Sequence, residues 1–186
     1  MPLPELHLRE VERAICGLLR EQELCVLATT RADGSPSTST MYLASDGLAV
    51  YCHILGYTRK LEDLRRDPRV AYTVAQVSAE EYDPRPELQM AQVSGQATFV
   101  TEQAEIEHAL RLCAEQFDWL ADPRRRAGFE RDGREGRMVF FRIDAERALW
   151  NDNRVGIGWR VLVTFTADGR HVAALTPRGP ALTGQG

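Results

Sequence analysis

Two short turn sequences, each built around an Asp-Gly pair, constrain the fold of this chain more than any other feature. Asp33-Gly34 lies between strand-type runs at 24–30 and 37–44, and Asp46-Gly47 precedes a third run at 48–54. Asp-Gly pairs favour the tight turns of β-hairpins. Parallel neighbours need crossover connections of a dozen or more residues, which these turns are too short to supply. The pattern therefore predicts an antiparallel three-stranded meander.

The rest of the chain predicts helices before the meander, after its third strand and after a fifth strand. Gly95 interrupts that fifth strand and predicts a bend or bulge of the kind that closes a barrel. An arginine-rich stretch of mixed charge, 122–137, predicts a solvated loop or a short helix. The predicted helices span 8–20, 58–66 and 102–120, and the further strands span 70–77, 88–101, 138–150, 159–166 and 171–175. The fold class is therefore mostly β with α (α+β), a closed or nearly closed antiparallel barrel.

The length of 186 residues fits a single domain. We expect its core to span about 8–150, followed by an extra hairpin at 151–175. The last residues, 176–186, are rich in Gly and Pro and predict a loose tail. Asp83-Pro84-Arg85-Pro86 marks a loop before the fifth strand.

Charge and hydropathy exclude several classes of function. A net charge of −4 and a pI of about 5.6 provide no basic field for nucleic acid. No apolar run approaches the roughly 18 residues that span a bilayer, and residues 1–7 lack the basic and apolar parts of a signal peptide. We therefore expect a cytoplasmic protein that binds neither nucleic acid nor a membrane.

The cysteines do not predict a disulfide framework or a metal site. The four are Cys16, Cys25, Cys52 and Cys113, and no two are close enough in sequence to form a C-x-x-C pair. Their positions in helical and strand patterns are typical of buried free thiols.

The segment Thr58-Arg59-Lys60 holds the only lysine of the chain. A hydroxyl, a guanidinium and an ammonium at a predicted helix start are suited to hold a phosphate, because free N–H groups and the helix dipole favour an anion there. Taken by itself, however, the tripeptide favours an ordinary solvated helix start.

In order and spacing, the motifs of residues 8–150 resemble the FMN-binding split-barrel family related to pyridoxamine-5′-phosphate oxidase. The resemblance rests on the opening helix and on a series of short segments. These are Val26-Leu27-Ala28-Thr29-Thr30, Asp33-Gly34-Ser35-Pro36, Val50-Tyr51-Cys52-His53, Thr58-Arg59-Lys60-Leu61, Leu64-Arg65-Arg66-Asp67-Pro68-Arg69-Val70-Ala71 and Val93-Ser94-Gly95-Gln96-Ala97. It implies an antiparallel split β-barrel that forms a homodimer, with FMN bound at the subunit interface.

The resemblance also implies which residues contact the cofactor. In such families the segment matching Thr58-Arg59-Lys60 clamps the flavin phosphate. The second and third strands follow the ribityl chain and ring, and the fifth strand supplies polar contacts. The further candidates are Thr40, Met41, Tyr42, His53, Gln92, Gln96 and Trp150. Each also has a structural alternative. Thr40, Met41 and Tyr42 could be ordinary alternating strand residues, and His53 could be a structural histidine. The two glutamines could face solvent, and Trp150 could anchor the core or a dimer.

The resemblance implies an oxidoreductase that transfers hydride between a small organic substrate and the flavin. No side chain stands out as an essential acid or base. The segment 36–45 carries no basic residue, unlike the second strand of the oxidase that names the family, so pyridoxamine phosphate oxidation itself is not implied. The alternatives are a flavin-binding or sensor module without turnover and a deazaflavin-dependent reductase. Family branches that bind haem share the same fold.

Overall fold

The computed structural model describes residues 7–76 and 87–178 and shows the α+β, antiparallel split-barrel fold that the sequence predicted. The helices are α1 (Leu8–Glu21), α2 (Arg59–Arg66), α3 (Gln103–Gln116) and α4 (Pro123–Arg134), with a 3₁₀ turn at Asp118–Ala121. The strands are β1 (Leu24–Thr30), β2 (Pro36–Asp46), β3 (Ala49–Leu55), β4 (Arg69–Gln76), β5 (Gln89–Phe99), β6 (Met138–Asp152), β7 (Arg160–Phe165) and β8 (Val172–Arg178).

The predicted meander is confirmed. β1 pairs with β2 and β2 pairs with β3, both antiparallel. Gly34 and Gly47 have φ angles of 81° and 62° in the two connecting turns. Only glycine adopts this left-handed conformation without strain, so the Asp-Gly pairs fix where the chain reverses.

Six strands close into a barrel in the order β3-β2-β1-β4-β5-β6, because β3 also pairs with β6. β7 and β8 continue the sheet from the far half of β6, so they extend beyond the barrel. The first half of β6 therefore completes the barrel, while its second half carries the added hairpin.

The predicted bulge at Gly95 is confirmed. The pairing of β5 with β6 shifts register between Ser94 and Gly95. A Cβ atom added at Gly95 would lie 2.2 Å from the backbone oxygen of Asp144. The two strands approach so closely at this position that no other side chain fits.

The protein has two layers of core. One fills the barrel and is covered by the buried face of α1, which contributes Val11, Ile15, Leu18 and Leu19. The other lies outside the barrel, between the strands β2, β3 and β6 and the layer formed by α3, the 3₁₀ turn and α4. No helix among the described residues has both the length and the apolar character to cross a membrane.

The segment between β5 and β6 differs in detail from the sequence prediction. The helix predicted for 102–120 ends at Gln116 and is followed by the separate 3₁₀ turn. Of the two alternatives for 122–137, the short helix is the one observed. The carboxylate of Asp122 accepts hydrogen bonds from the amides of Arg124 and Arg125, and Pro123 occupies the first turn, so the start of α4 is capped.

The end of the chain is more regular than predicted. β8 includes residues 176–178, which the composition assigned to a loose tail. The rest of that tail, 179–186, and the predicted loop at 83–86 lie outside the described residues.

Gln116 joins three elements through one side-chain amide. Its Nε2 donates to the carbonyl oxygens of Leu19, Gln22 and Leu43 at 2.9, 2.8 and 3.3 Å. Its Oε1 accepts from the backbone amide of Ser45 at 2.9 Å. These bonds tie the end of α1 and the last residues of β2 to the end of α3.

We predict that Gln116→Leu lowers the free energy of unfolding by about 2 kcal/mol, because partly buried backbone groups lose their partners. Urea unfolding followed by circular dichroism measures the change. Gln103→Leu is the matched control: among the described residues the exposed amide of Gln103 bonds only to Glu107, and its loss should cost less than about 0.5 kcal/mol. Equal losses in the two variants would refute the linking role.

Candidate functional site

The barrel has an opening between β2 and β3. β2 pairs with β1 along 36–42, but with β3 only along 43–46. Beyond that point β3 continues as far as Leu55 by pairing with β6. Within the part of the chain that the structure describes, the first half of β2 therefore has no strand on its β3 side. We call this opening the split, bounded by residues 36–42 and 53–55.

Helix α2 begins next to the split and places the predicted phosphate-binding segment there. The Thr58 hydroxyl donates to the carbonyl oxygen of Leu55 at 3.1 Å, so it ties the helix start to the end of β3. Arg59 is exposed and forms no ion pair with any described residue. Lys60 is half-buried, and its Nζ lies 2.6 Å from Sδ of Met41 on β2. The ammonium group thus reaches across the split from the helix to β2.

The Lys60 ammonium has no neutralising partner in the part of the chain that the structure describes. No carboxylate in residues 7–76 or 87–178 forms an ion pair with it, and the Met41 thioether is only a weak acceptor. Burial lowers the pKa of Lys60 below its ordinary value, an effect that the nearby thiols of Cys52 and Cys25 oppose. An anion that entered the split would therefore meet a partly desolvated positive charge without a competing carboxylate.

The three candidate residues on β2 do not share one face. Met41 is buried in the barrel core, whereas Thr40 and Tyr42 are exposed on the outer surface. Strand alternation places neighbours on opposite sides of a sheet. Met41 therefore faces Lys60 from inside, while Thr40 and Tyr42 can contact a molecule lying on the barrel.

A row of outward-facing residues crosses the sheet from Thr40. Strand register places Thr40 beside Val26, Val26 beside Thr73, Thr73 beside Gln92 and Gln92 beside Leu149. Three strand spacings separate Thr40 from Gln92, which corresponds to roughly 14 Å. Gln92 is therefore on the same outer face as Thr40 but too far away to share one phosphate with it.

A shallow depression of about 490 Å³ lies along this row. Its floor is formed by small residues of β1 and β4, among them Ala28 and Ala71, and Arg147 lies on its wall. A second, smaller hollow of about 350 Å³ shares Ala28 and Ala71 and continues toward Arg69. The lining of the main depression is Val26, Ala28, Thr38, Ala71, Tyr72, Thr73, Gln92, Val93, Ser94, Arg147, Ala148, Leu149 and Leu162.

Gln96 and Trp150 lie away from the depression. The Gln96 amide donates to Oε1 of Glu146 at 2.8 Å, so it is already occupied within the sheet. Trp150 is 1% exposed and packs in the barrel core. On β6, the residue that faces outward beside Gln92 is Leu149, which precedes Trp150 in the sequence.

His53 lies at the edge of the split within a layer of aromatic rings. Its ring stacks on Tyr42 with centroids 6.1 Å apart and an interplanar angle of 11°. Phe117, Phe129 and Phe140 surround it on the other sides. Its Nδ1 is buried and has no hydrogen-bond partner among the described residues. Burial lowers the pKa of His53 to about 4, so the ring is neutral at pH 7.

The sequence did not single out most residues of the depression. Arg147 is exposed on its wall and forms no ion pair with any described residue, and Val26, 49% exposed, contributes an apolar surface. Alternation within each strand could have assigned these side chains to the outer face. Their convergence depends on β1 lying between β2 and β4, which no local pattern encodes. In the described ranges, no group of three His, Cys, Asp or Glu side chains is arranged to hold a metal ion.

Comparisons with known proteins agree with the split-barrel fold. The family model described as pyridoxamine 5′-phosphate oxidase matches residues 11–149. No curated protein gives a significant match.

Solved structures share the fold at low sequence identity. A haem-binding protein from Mycobacterium smegmatis is 19% identical with a TM-score of 0.66, covering 87% of this chain and 59% of that one. An FAD-binding protein from Mesorhizobium loti is 21% identical with a TM-score of 0.55, covering 73% and 90%. The haem storage protein HutZ from Vibrio cholerae is 17% identical with a TM-score of 0.56, covering 76% and 92%. The chain thus spans about three fifths of the length of the mycobacterial haem-binding protein.

Proposed function

The chain belongs to the pyridoxamine 5′-phosphate oxidase family, and we propose that it binds FMN and acts as an oxidoreductase on a small organic substrate. The observation that carries this proposal is the Lys60 ammonium at the split, which has no carboxylate partner among the described residues. Arg59, the residue before Lys60 at the helix start, is exposed and forms no ion pair within the described ranges. Two such cations at a helix start are suited to a phosphate dianion.

The rest of the cofactor would lie on the outer face of the barrel. Thr40 faces outward at the split, and the depression begins beside it, at Thr38 and Val26, and extends toward Gln92. Its floor of small side chains leaves room for a planar ring. Gln92 could donate to or accept from the polar edge of that ring. When bound, the flavin supplies hydride transfer, while the protein fixes the phosphate, orients the ring and limits access of water.

We propose that a second copy of the chain covers this face. Leu24 and Val26 are 50% and 49% exposed on β1, and Tyr42 is 38% exposed beside them. Neighbouring apolar side chains left in water are typical of a protein interface, and two-fold dimers are the commonest assembly. A homodimer would enclose the depression and allow both copies to contact the cofactor. Sedimentation equilibrium would test the expected dimer.

The absorption spectrum of the purified protein, followed by mass identification of the extracted chromophore, distinguishes the possible cofactors. FMN gives a flavin spectrum, whereas a deazaflavin or haem gives a different one. Haem is a candidate because two proteins of the same fold bind or store haem. Bound FMN that no nicotinamide nucleotide reduces would favour a flavin-binding or sensor module without turnover.

We predict that Lys60→Ala weakens FMN binding about 10- to 100-fold, since one charge-assisted contact contributes about 1.5–3 kcal/mol. Arg65→Ala is the matched control. It removes a positive charge from the same helix, where the Arg65 guanidinium lies over the Phe99 ring, 6.0 Å from its centroid. Fluorescence titration of the flavin-free protein measures both affinities.

Riboflavin, which lacks the phosphate, should bind wild type and Lys60→Ala with similar affinity. Equal FMN affinities of wild type and Lys60→Ala would refute the phosphate-binding role. An equal effect of Arg65→Ala would show that the loss of affinity comes from the net charge of the helix and not from a direct contact of Lys60 with the phosphate.

A further inference from the structure

We propose that Lys60 is a carbonyl-reactive amine, and that in the flavin-free protein it condenses reversibly with small aldehydes that carry a phosphate or a carboxylate. Such aldehydes would then compete with the cofactor for the split. The competition rests on the proposed function, whereas the condensation does not.

The half-burial of Lys60 makes its neutral, nucleophilic form more accessible than in an exposed lysine. Its Nζ contacts the Met41 thioether at 2.6 Å and has no carboxylate partner in the described part of the chain. Burial removes water from the ammonium form and lowers the pKa of Lys60. A lysine that is desolvated against apolar side chains is a known arrangement for an activated amine.

The neighbouring thiols do not compete as nucleophiles. Cys25 and Cys52 are 3% and 0% exposed. Two effects raise the pKa of Cys52 well above its ordinary value: a hydrogen bond with the Cys25 thiol, which is the larger, and burial. Cys52 therefore stays protonated and enclosed in the barrel, while Lys60 lies at the opening.

The charge at the split selects the class of aldehyde. Arg59 is exposed and unpaired among the described residues, and it precedes Lys60 directly at the start of α2. A guanidinium binds phosphate or carboxylate through paired hydrogen bonds. An aldehyde with an anionic group a few bonds from its carbonyl could therefore contact Arg59 while the carbonyl carbon meets Lys60.

The reaction balances without an oxidant or reductant. The Lys60 nitrogen adds its lone pair to the carbonyl carbon, and a proton moves from nitrogen to oxygen to give a carbinolamine. Loss of the hydroxyl group with a proton as water leaves a C=N bond. Hydrolysis of the imine restores the free amine and the aldehyde.

Reductive trapping in the full-length, flavin-free protein tests the proposal. Glycolaldehyde phosphate and glycolaldehyde serve as matched probes, with sodium cyanoborohydride at pH 7 and peptide mass mapping. Because Lys60 is the only lysine, any adduct elsewhere is confined to the α-amino group. We expect Lys60 to be trapped faster than Nα-acetyl-lysine in the same solution. We also expect it to be trapped about tenfold faster by the phosphorylated probe, the effect of one charge-assisted bond.

Two variants and one competitor complete the test. Lys60→Arg should leave only the α-amino adduct, and Arg59→Ala should abolish the preference for the phosphorylated probe. Trapping of Lys60 no faster than that of Nα-acetyl-lysine would overturn the proposal, as would equal rates with both probes. FMN in excess should slow the trapping. A protein that is trapped as expected but binds no FMN would overturn the proposed function and support the reactive amine.

Discussion

Gly95→Ala should lower the free energy of unfolding by about 3 kcal/mol, at the upper end of what overpacking costs. The added methyl group would lie 2.2 Å from the backbone oxygen of Asp144, 3.0 Å from its carbonyl carbon and 3.1 Å from Cα of Ala145. Backbone atoms cannot rotate away as a flexible side chain can. The bulge that lets β5 and β6 curve around the barrel must therefore open.

Gly17→Ala is the matched control for this variant. Gly17 lies on the exposed side of α1, and a Cβ atom there would meet nothing within 4 Å. The same change should raise stability by about 0.5–1 kcal/mol, because alanine favours a helix more than glycine does. Chemical unfolding measures the change in unfolding free energy of each variant, which should be negative for Gly95→Ala and positive for Gly17→Ala. A loss below about 1 kcal/mol for Gly95→Ala would show that the strands separate easily at the bulge.

Acid should destabilise the protein through His53. In the unfolded chain its pKa is near 6.5, whereas in the folded protein burial lowers it to about 4. Between these values the unfolded state binds a proton that the folded state does not, so stability is present above pH 6.5 and is lost as the pH falls toward 4. The difference in pKa corresponds to about 3 kcal/mol.

His53→Leu isolates this contribution. Leucine keeps the position apolar among the rings of Tyr42, Phe117 and Phe140 but removes the titrating group. Unfolding free energies of wild type and variant should be measured from pH 7.5 to pH 4. The wild type should lose about 3 kcal/mol more than the variant over this range. Parallel curves would show that the acid sensitivity has another source, such as the ion pairs of Asp46 with His108 and Arg170.

Local sequence patterns predicted the elements and the meander well, because their causes are local. Asp33-Gly34 and Asp46-Gly47 encode turns directly, and Gly95 encodes the bulge. The pattern also located the segment Thr58-Arg59-Lys60 at a helix start. The contact of Lys60 with Met41 could not be predicted, since it depends on where β2 separates from β3.

The remaining differences have tertiary causes. Trp150 was predicted as a possible wall residue, but the pairing of β6 with both β5 and β7 directs it into the core. Alternation along β2 places Met41 inside and its neighbours outside. The outer depression is lined by residues of six strands, from β1 to β7, so its lining could not be assembled from any one of them.

The pairing of β3 with β6 has a consequence for synthesis of the chain. β3 is synthesised directly after its partner β2, but the partner of its other edge, residues 138–143, is made much later. At common rates of translation this interval is on the order of ten seconds. During it, an apolar strand edge is open to any other extended chain. The nascent protein therefore passes through a stage that is prone to aggregation, and slower elongation between β3 and β6 would prolong it.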